Sequence, residues 1–144
     1  MQTVGQYLQT KGQQVWATRP DATVYEALQQ MSDKDIGSLL VMEGEKLVGI
    51  FSERDYARKV ILHGKSSKEV LVSEIMTSRV AYVHPQQSIE DCMAIMTELR
   101  VRHLPVLSGE RVVGVISIGD VVKSIISEQS FVIQQLENYI TSGR

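Results

Sequence analysis

Two stretches of the chain show the same succession of helix-like and strand-like hydrophobic patterns. In the first stretch, apolar residues recur at helical spacing over 24–31, and short apolar runs follow at 39–42 and 47–51. In the second stretch, helical spacing covers 89–96 and the apolar runs lie at 104–107 and 112–116. Each stretch predicts a strand, a helix, a hairpin with a Gly-containing turn, and a second helix.

The two stretches form an internal repeat. Residues 15–55 align with residues 80–120 without a gap, at an offset of 65 positions. Identical pairs at this offset are Pro20 and Pro85, Met31 and Met96, Val41 and Val106, Gly44 and Gly109, Gly49 and Gly114, Ser52 and Ser117, and Asp55 and Asp120. A duplication of this size predicts two halves related by a pseudo-two-fold axis, with the functional site where they meet. The expected fold class is α+β, with small mixed sheets flanked by helices.

Segments outside the repeat are also predicted to be helical. We expect an N-terminal helical extension over 1–14, the first repeat over 15–64, a linker over 65–79, the second repeat over 80–126 and a C-terminal helical extension over 127–144. In the last helix, apolar residues recur about every 3.5 positions from Val122 to Ile140. This stripe, with that of Val4, Tyr7 and Leu8, either packs intramolecularly or contributes to a homodimer contact.

Composition excludes several classes of partner. The chain has 144 residues and a net charge of −2, so it lacks the basic field that nucleic acid requires. No apolar run approaches the roughly 18 residues of a membrane span, and the N-terminus does not resemble a secretory signal. A single cysteine, Cys92, fits a reducing compartment, and the cytoplasm is the expected location.

Metal and catalytic motifs are missing from the sequence. The three histidines have no spacing, with each other or with Cys92, that indicates zinc, so no metal is expected. Cys92 lies on an apolar helix face and is interpreted as a buried core thiol. No phosphate-binding glycine loop or nucleophile motif occurs, and we expect a protein that is not an enzyme.

The ends of the two hairpins carry a recognisable motif. They read Gly49-Ile-Phe-Ser52-Glu-Arg-Asp55 and Gly114-Val-Ile-Ser117-Ile-Gly-Asp120, and the second follows the strand Val101-Arg-His-Leu-Pro-Val106. In combination they resemble tandem cystathionine-β-synthase (CBS) domains, or a Bateman module, over about residues 15–126. The chain is similar to the small stand-alone CBS-pair proteins of bacteria and plant organelles. The resemblance implies a regulatory module that binds AMP, ADP, ATP or NAD between the repeats, senses energy or redox status, and modulates a partner such as an enzyme or transporter. It also implies a homodimer.

The resemblance further implies two ligand clefts. In each, a helix N-terminus following a strand suits a phosphate, the serine hydrogen-bonds that phosphate, and the aspartate accepts from the ribose hydroxyls. The first cleft would combine Ser52, Arg54 and Asp55 with Arg102 and His103. The second cleft would combine Ser117 and Asp120 with the uncharged Gly37 and Ser38. Because charge-assisted arginine contacts are strong, we expect the first cleft to bind phosphate better.

Adenine is expected against backbone and apolar side chains near the repeat starts. The corresponding residues are Val15 and Trp16 for one site, Val80 and Ala81 for the other, the walls Ile36, Ile50, Val101 and Val115, and the strand residues Leu104 and Pro105.

Simpler interpretations stay open from the sequence alone. Ser52 with Asp55, and Ser117 with Asp120, also read as capping boxes. Arg102 and His103 could be a solvated edge pair, and Trp16 a core residue. At the level of function, the alternatives are an interaction scaffold with vestigial nucleotide sites, or a phosphate-transferring enzyme. The enzyme is disfavoured because it needs a general base and usually a metal, which Asp55 or Asp120 alone does not provide.

Overall fold

The computed structural model describes residues 2–142, in which each repeat contributes a β-hairpin and a preceding helix. The N-terminal segment forms α1 (Val4–Lys11). The first repeat and the linker contain β1 (Ala17–Thr18), α2 (Val24–Lys34), β2 (Ser38–Glu43), β3 (Lys46–Ser52), α3 (Glu53–Lys59), a 3-10 turn (Ile61–His63) and α4 (Val72–Ile75). The second repeat contains α5 (Ile89–Leu99), β4 (His103–Ser108), β5 (Arg111–Ser117) and α6 (Ile118–Ser142).

The two hairpins have the same register. β2 and β3 are antiparallel with Ser38 opposite Ser52, and β4 and β5 are antiparallel with His103 opposite Ser117. Each hairpin has its register shift at the same place, after Val41 or Val106. β1 adds a parallel strand beside β2, whereas in the second repeat this pairing is reduced to a single parallel bridge between Val83 and Val106.

Helix starts follow the capping boxes in the sequence. Thr3, Thr23, Ser52 and Ser88 each accept from an amide three residues on, and the residue there accepts from the cap amide in return. These reciprocal bonds satisfy amides that lack a partner within the helix. The second helix of the first repeat, α3, ends at Lys59 and is followed by the 3-10 turn before Gly64, which has a positive φ of 68°.

Two separate hydrophobic cores form, one for each repeat. The first unites α2, β2 and β3 with Val72 and Ile75 of the linker helix α4. The second unites α5, β4 and β5 with Val4 and Leu8 of α1. Although α1 precedes the first repeat in the chain, it therefore packs in the core of the second.

Glycines in β3 and β5 permit these close contacts. A Cβ on Gly114 would lie 2.8 and 2.9 Å from the two Cδ atoms of Leu8. A Cβ on Gly49 would lie 2.6 Å from the sulfur of Met76 and 3.0 Å from the carbonyl oxygen of Thr77. Both sheets are thus covered at equivalent places, by α1 on one and by the segment after α4 on the other.

The last helix extends well beyond the second repeat. α6 has 25 residues, and its side chains from Gln129 to Ile140 are all exposed. None of the described helices is long and apolar enough to cross a membrane.

Candidate functional site

A cavity of about 390 Å³ lies between the two repeats. The end of α1, the loop leading to β1, the start of β2, and both strands of the second hairpin form its walls. The lining residues are Lys11, Gly12, Gln14, Trp16, Asp35, Ile36, Gly37, Ser38, Leu40, His103, Val115 and Ser117. This cavity is the second cleft, because it brings Gly37 and Ser38 together with Ser117 as the sequence predicts.

The Asp120 carboxylate of this cleft is held by side chains from α1. Tyr7 donates its hydroxyl to Oδ1 at 2.9 Å, and Lys11 donates its ammonium to Oδ2 at 2.6 Å. The Ser117 amide also donates to Oδ2, at 2.7 Å. Lys11 makes a further bond, to the carbonyl oxygen of Val115 at 2.8 Å. α1 is therefore bonded to the residue expected to accept the ribose hydroxyls.

The ionisation of this cluster follows from these contacts. Burial raises the pKa of Asp120, but the bonds from Lys11 and Ser117 outweigh burial and hold the pKa below its usual value. Burial and the bond to anionic Asp120 raise the pKa of Tyr7 to about 12. At neutral pH Asp120 is thus a carboxylate and Tyr7 a neutral phenol.

His103 also lies in the second cleft. Its ring Cε1 is 3.9 Å from the position that a Cβ on Gly37 would take, and it lines the cavity beside Lys11 and Ser117. Burial, followed by the charge of Lys11, lowers its pKa, Asp120 opposes the shift, and Arg102 adds to it. His103 faces this cleft because it pairs directly with Ser117 in the β4–β5 register, and opposed residues of an antiparallel pair share one face.

The expected division of charge between the clefts is therefore wrong. Alignment of the two repeats places only the uncharged Gly37 and Ser38 opposite Ser117 and Asp120 in the second cleft. The structure adds Lys11 and His103 to that cleft. Lys11 belongs to a helix outside the repeat, so alignment of the two repeats could not reveal it.

Amides at the helix starts are less available to a ligand than the strand-to-helix motif suggests. The amides of Ser117 and Asp120 serve the capping box, and the Ile118 amide donates to the carbonyl oxygen of Arg102 at 2.8 Å. The Ser117 hydroxyl also takes part in this capping box, since it accepts from the Asp120 amide and hydrogen-bonds the Asp120 side chain. Side chains more than backbone amides would therefore contact a phosphate here.

The Asp55 carboxylate of the first cleft is occupied as well. One oxygen accepts from the amide and hydroxyl of Ser52, at 3.0 and 3.1 Å. The other accepts from the Thr77 hydroxyl at 3.2 Å and lies 3.4 Å from the Lys59 ammonium. Ser52 thus uses its hydroxyl proton within its own capping box.

The arginines expected in the first cleft lie on the surface. Arg54 is exposed and donates to the carbonyl oxygen of Arg100 at 3.0 Å. This hydrogen bond joins the first repeat to the loop before β4. Arg102 is exposed in the same loop.

The residues expected around adenine divide between the cavity and the cores. Trp16, Ile36 and Val115 line the second cleft together with Leu40, and the Lys34 ammonium lies 4.4 Å from the centroid of the Trp16 ring. Val15 is half-buried in the loop before β1. The remaining positions lie elsewhere: Ala81 and Val101 pack on the second core, Leu104 and Pro105 are buried in β4, and both backbone groups of Ile50 bond to Thr77.

Val80 lies in a larger, open cleft. This cleft has a volume of about 1360 Å³, and its walls are the two hairpin turns over 42–47 and 107–112 with Ser78, Val80 and Tyr82. Five charged residues of both signs at the turns line it: Glu43, Glu45, Lys46, Glu110 and Arg111.

Other candidate chemistry is weak within residues 2–142. Among these described residues, no group of three or more His, Cys, Asp or Glu could hold a metal ion. Cys92 is buried, and burial followed by the nearby charge of Asp91 raises its pKa to about 11. A thiol with this pKa is a poor nucleophile at neutral pH.

Paired repeats with a charged cavity between them define a class of two-lobed ligand-binding modules. Comparison with known proteins identifies the family, because the CBS domain model matches residues 10–62 and 72–127. The chain belongs to the CBS domain family and carries two copies, which confirms the resemblance read from the sequence.

Several known proteins are similar over most of the chain. The mitochondrial CBS domain-containing protein CBSX3 of Arabidopsis thaliana is 37% identical over 98% of this chain and 73% of its own length. The structure of a protein with CBS domains from Burkholderia ambifaria MC40-6 is 51% identical, with a TM-score of 0.85 over 88% of this chain and 96% of that one. A hexameric CBS-CP12 protein from bloom-forming cyanobacteria is 28% identical, with a TM-score of 0.74 over 83% of this chain and 66% of that one. CBS-pair proteins of this kind are generally regulatory modules, often ones that bind a ligand.

Proposed function

We propose that this chain is a regulatory module that binds an adenine nucleotide, AMP, ADP, ATP or NAD, in the second cleft and modulates a partner protein. The observation that carries this proposal is the grouping of Lys11, His103 and Ser117 around one cavity between the repeats. Its volume of about 390 Å³ lies within the roughly 300–1,000 Å³ of small-molecule sites.

The lining matches the parts of a nucleotide. Lys11, Ser117 and His103 are donors for phosphate oxygens, because a neutral imidazole still donates one N–H. Asp120, which accepts from Lys11 and Ser117 of this lining, is the proposed acceptor for ribose hydroxyls. Trp16, Ile36, Leu40 and Val115 give an apolar wall for adenine.

Ligand binding would compete with α1. Asp120 already accepts from Tyr7, Lys11 and Ser117, and a carboxylate offers about four acceptor positions. A ribose that bonds through both hydroxyls must therefore displace Tyr7 or Lys11. We infer that phosphate attracts Lys11 away from Asp120 while the ribose replaces it, so that α1 shifts when ligand binds.

Gln2, just before the N-cap of α1, contacts α6, which gives a shift of α1 an output. The Gln2 amide donates to Glu128 Oε1 at 2.8 Å, and the Ser124 hydroxyl donates to the Gln2 side chain. Because α6 continues as an exposed apolar helix, it is the proposed element that reports the ligand to a partner such as an enzyme or transporter. A ligand can shift this equilibrium only by its differential affinity for the two states.

The test is binding of separate nucleotides to the purified protein. We expect one of AMP, ADP, ATP and NAD to raise the melting temperature by roughly 5–10 °C at 100 times its dissociation constant. S-adenosylmethionine tests whether an adenosine without phosphate suffices. Because Trp16 lines the cavity and is the only tryptophan, its fluorescence gives a second readout.

Matched variants separate the two clefts. Asp120→Ala should abolish the shift, whereas Asp55→Ala should leave it nearly unchanged if the second cleft is the site. The reverse result would place the ligand in the first cleft, and equal losses would mean that both bind.

A scaffold without ligand is the second candidate function. It is favoured by the fact that both aspartates, Asp55 and Asp120, have protein partners on each carboxylate oxygen. No thermal shift and no change of Trp16 fluorescence with any nucleotide would support the scaffold. Consumption of the nucleotide with release of product would instead indicate an enzyme, which we propose this protein is not.

The proposed setting is a homodimer in the cytoplasm. The similar CBS-CP12 protein of cyanobacteria is hexameric, which supports self-association in this family. A single buried thiol, Cys92, suits a reducing compartment.

A further inference from the structure

His103 has a half-buried imidazole ring whose nitrogens are available to a ligand of the second cleft. The ring lines this cleft beside Lys11 and Ser117, and its Cε1 lies 3.9 Å from the position that a Cβ on Gly37 would take. Neither ring nitrogen has a hydrogen-bond partner in the part of the chain that the structure describes, and neither is sealed from the cavity. By contrast, Nδ1 of His84 bonds a backbone carbonyl oxygen at 3.1 Å. His103 is therefore an unused polar group in the cavity wall.

The fixed charges around this cleft offer little positive charge to an anionic ligand. Among the described residues that line the cleft or bond to its lining through their side chains, Lys11 is a cation, and Asp35 and Asp120 are carboxylates. The Lys11 ammonium is already hydrogen-bonded to Asp120 at 2.6 Å. Arg102, next to His103 in the chain, is exposed, so water and salt screen its charge. A phosphate would therefore enter a site whose lining cation is shared with a carboxylate.

The surroundings of the His103 ring favour its neutral form. Burial and then the charge of Lys11 lower the pKa of His103, Asp120 opposes this shift, and Arg102 adds to it. The pKa of Asp120 is held below its usual value and that of Tyr7 is raised to about 12, so neither group titrates near neutrality. In this cluster, His103 is thus the group whose charge can change near pH 7.

A phosphate in the cleft would reverse this preference. An anion within about 4–6 Å of an imidazole favours the protonated ring. The phosphate would also offset the charge of Lys11, which disfavours protonation of His103. A protonated imidazole donates from both nitrogens, and its charge-assisted bonds are about twice as strong as neutral ones. Phosphate and proton would therefore each strengthen the binding of the other.

We propose that the second cleft binds a phosphate-bearing ligand together with a proton on His103, so that binding becomes tighter as the pH falls towards about 6. This inference rests on the proposed function, because it requires a phosphate in that cleft. It makes the module respond to acidity as well as to nucleotide. The repeat motif alone does not supply this response, since the position equivalent to His103 in the first repeat is Ser38, which does not titrate.

Calorimetric binding of NAD between about pH 8 and about pH 6 tests the coupling. NAD is the probe because its phosphates are diesters, whereas the phosphate monoester of AMP titrates near pH 6 itself. The wild-type protein should bind NAD roughly tenfold more tightly at the lower pH, because a tenfold gain in proton affinity on binding requires an equal gain in ligand affinity. Titrations in buffers of different ionisation enthalpy should show proton uptake with the ligand. AMP is measured in parallel, and its own titration cancels when wild type and variant are compared at the same pH.

Matched histidine variants assign the proton. His103→Gln keeps a hydrogen-bond donor but takes up no proton, so it should lose the pH dependence and the proton uptake. His63→Gln is the control, since His63 is exposed on the 3-10 turn and does not line the cleft, and it should keep both. NMR titration of the His103 Cε1 proton in the wild-type protein gives a readout that needs no variant, and saturating NAD or AMP should raise the pKa of His103.

The outcomes separate this inference from the proposed function. Nucleotide binding with the same pH dependence in wild type and His103→Gln, or a His103 titration that the bound nucleotide does not move, would overturn the proton coupling and leave the proposed function standing. NAD binding that weakens as the pH falls would do the same. Binding of neither NAD nor AMP at any pH would overturn the proposed function and this inference with it.

Discussion

At the scale of single residues, Asp120 connects the cleft with α1. It is buried, yet it keeps its charge because Lys11 donates at 2.6 Å and Ser117 at 2.7 Å. Its counterpart Asp55 has a hydroxyl donor, Thr77, in place of Tyr7, and a more distant ammonium, Lys59. One motif thus has two different surroundings, and the difference comes entirely from residues outside the motif.

We predict that Asp120→Asn lowers the free energy of unfolding at pH 7 by about 1–3 kcal/mol, since it removes a charge-assisted bond within a half-buried cluster. The pKa of Asp120 is lowered by folding, so its stabilisation is present above the unfolded value near 3.9 and is lost as pH falls through the folded value. Denaturant unfolding from pH 7 to pH 3 should therefore show the two proteins converging in acid. A constant difference would contradict this origin.

A second prediction concerns His103. Because the Lys11 charge lowers the pKa of His103, Lys11→Gln should raise that pKa towards 6.5. NMR titration of the His103 Cε1 proton measures the change. Lys68→Gln is the control, since Lys68 lies over Tyr25 and not in the cleft. An unchanged His103 titration after Lys11→Gln would remove Lys11 from the electrostatics of the site.

At the scale of elements, α1 precedes the first repeat in the chain but packs in the core of the second repeat. Its capping box at Thr3 and Gln6 and its apolar positions Val4 and Leu8 predict a helix, which the structure contains. Its partner could not be predicted, because nothing in the sequence of α1 distinguishes the first core from the second. Only the folded chain places it on β5, where Gly114 gives room for Leu8.

We predict that Gly114→Ala destabilises the protein by about 1–3 kcal/mol, since the new methyl group would overlap both Cδ atoms of Leu8. Thermal unfolding measures the loss. Leu8→Ala also destabilises by leaving a cavity, but the double variant should be less unstable than the sum, because the methyl group partly fills that space.

Gly49→Ala provides the comparison in the first repeat. There the new methyl group meets the carbonyl oxygen of Thr77 in addition to Met76, and backbone yields less readily than a leucine side chain. We expect a larger loss than for Gly114→Ala. Equal losses for Gly49→Ala and Gly114→Ala, together with additive losses for Gly114→Ala and Leu8→Ala, would show that α1 is not tightly packed on β5.

At the scale of the whole molecule, the cleft and the exposed helix are connected through α1. Tyr7 and Lys11 reach Asp120 at the start of α6, and Gln2 bonds Ser124 and Glu128 further along the same helix. A ligand that displaces Tyr7 and Lys11 from Asp120 would therefore loosen the bonds of Gln2 to α6. The two repeats therefore supply the cavity, and the N-terminal segment supplies the coupling.

We predict that saturating nucleotide increases amide hydrogen exchange in α1 while protecting the start of β2 and the end of β5. The reason is that α1 loses two side-chain bonds, whereas the cavity walls gain a ligand. Exchange measured by mass spectrometry with and without AMP or NAD provides the test. Protection of α1 by the ligand would contradict displacement.

Local patterns determined most of the elements of this protein. The repeat, the capping boxes, the hairpins and the α+β fold class follow from residue spacing, because capping and hydrophobic periodicity act over a few neighbouring positions. The position of Ser117 opposite His103 also follows from local pattern, since paired strands fix their own register.

Tertiary structure alone decided which side chains meet across the repeats. Lys11 and Tyr7 reach Asp120 from more than 100 positions away, and His103 turns towards Lys11 rather than towards Ser52. Contacts of this kind depend on how two separate cores are placed against each other. No pattern within either repeat encodes that placement, because Tyr7 and Lys11 lie outside the duplicated unit.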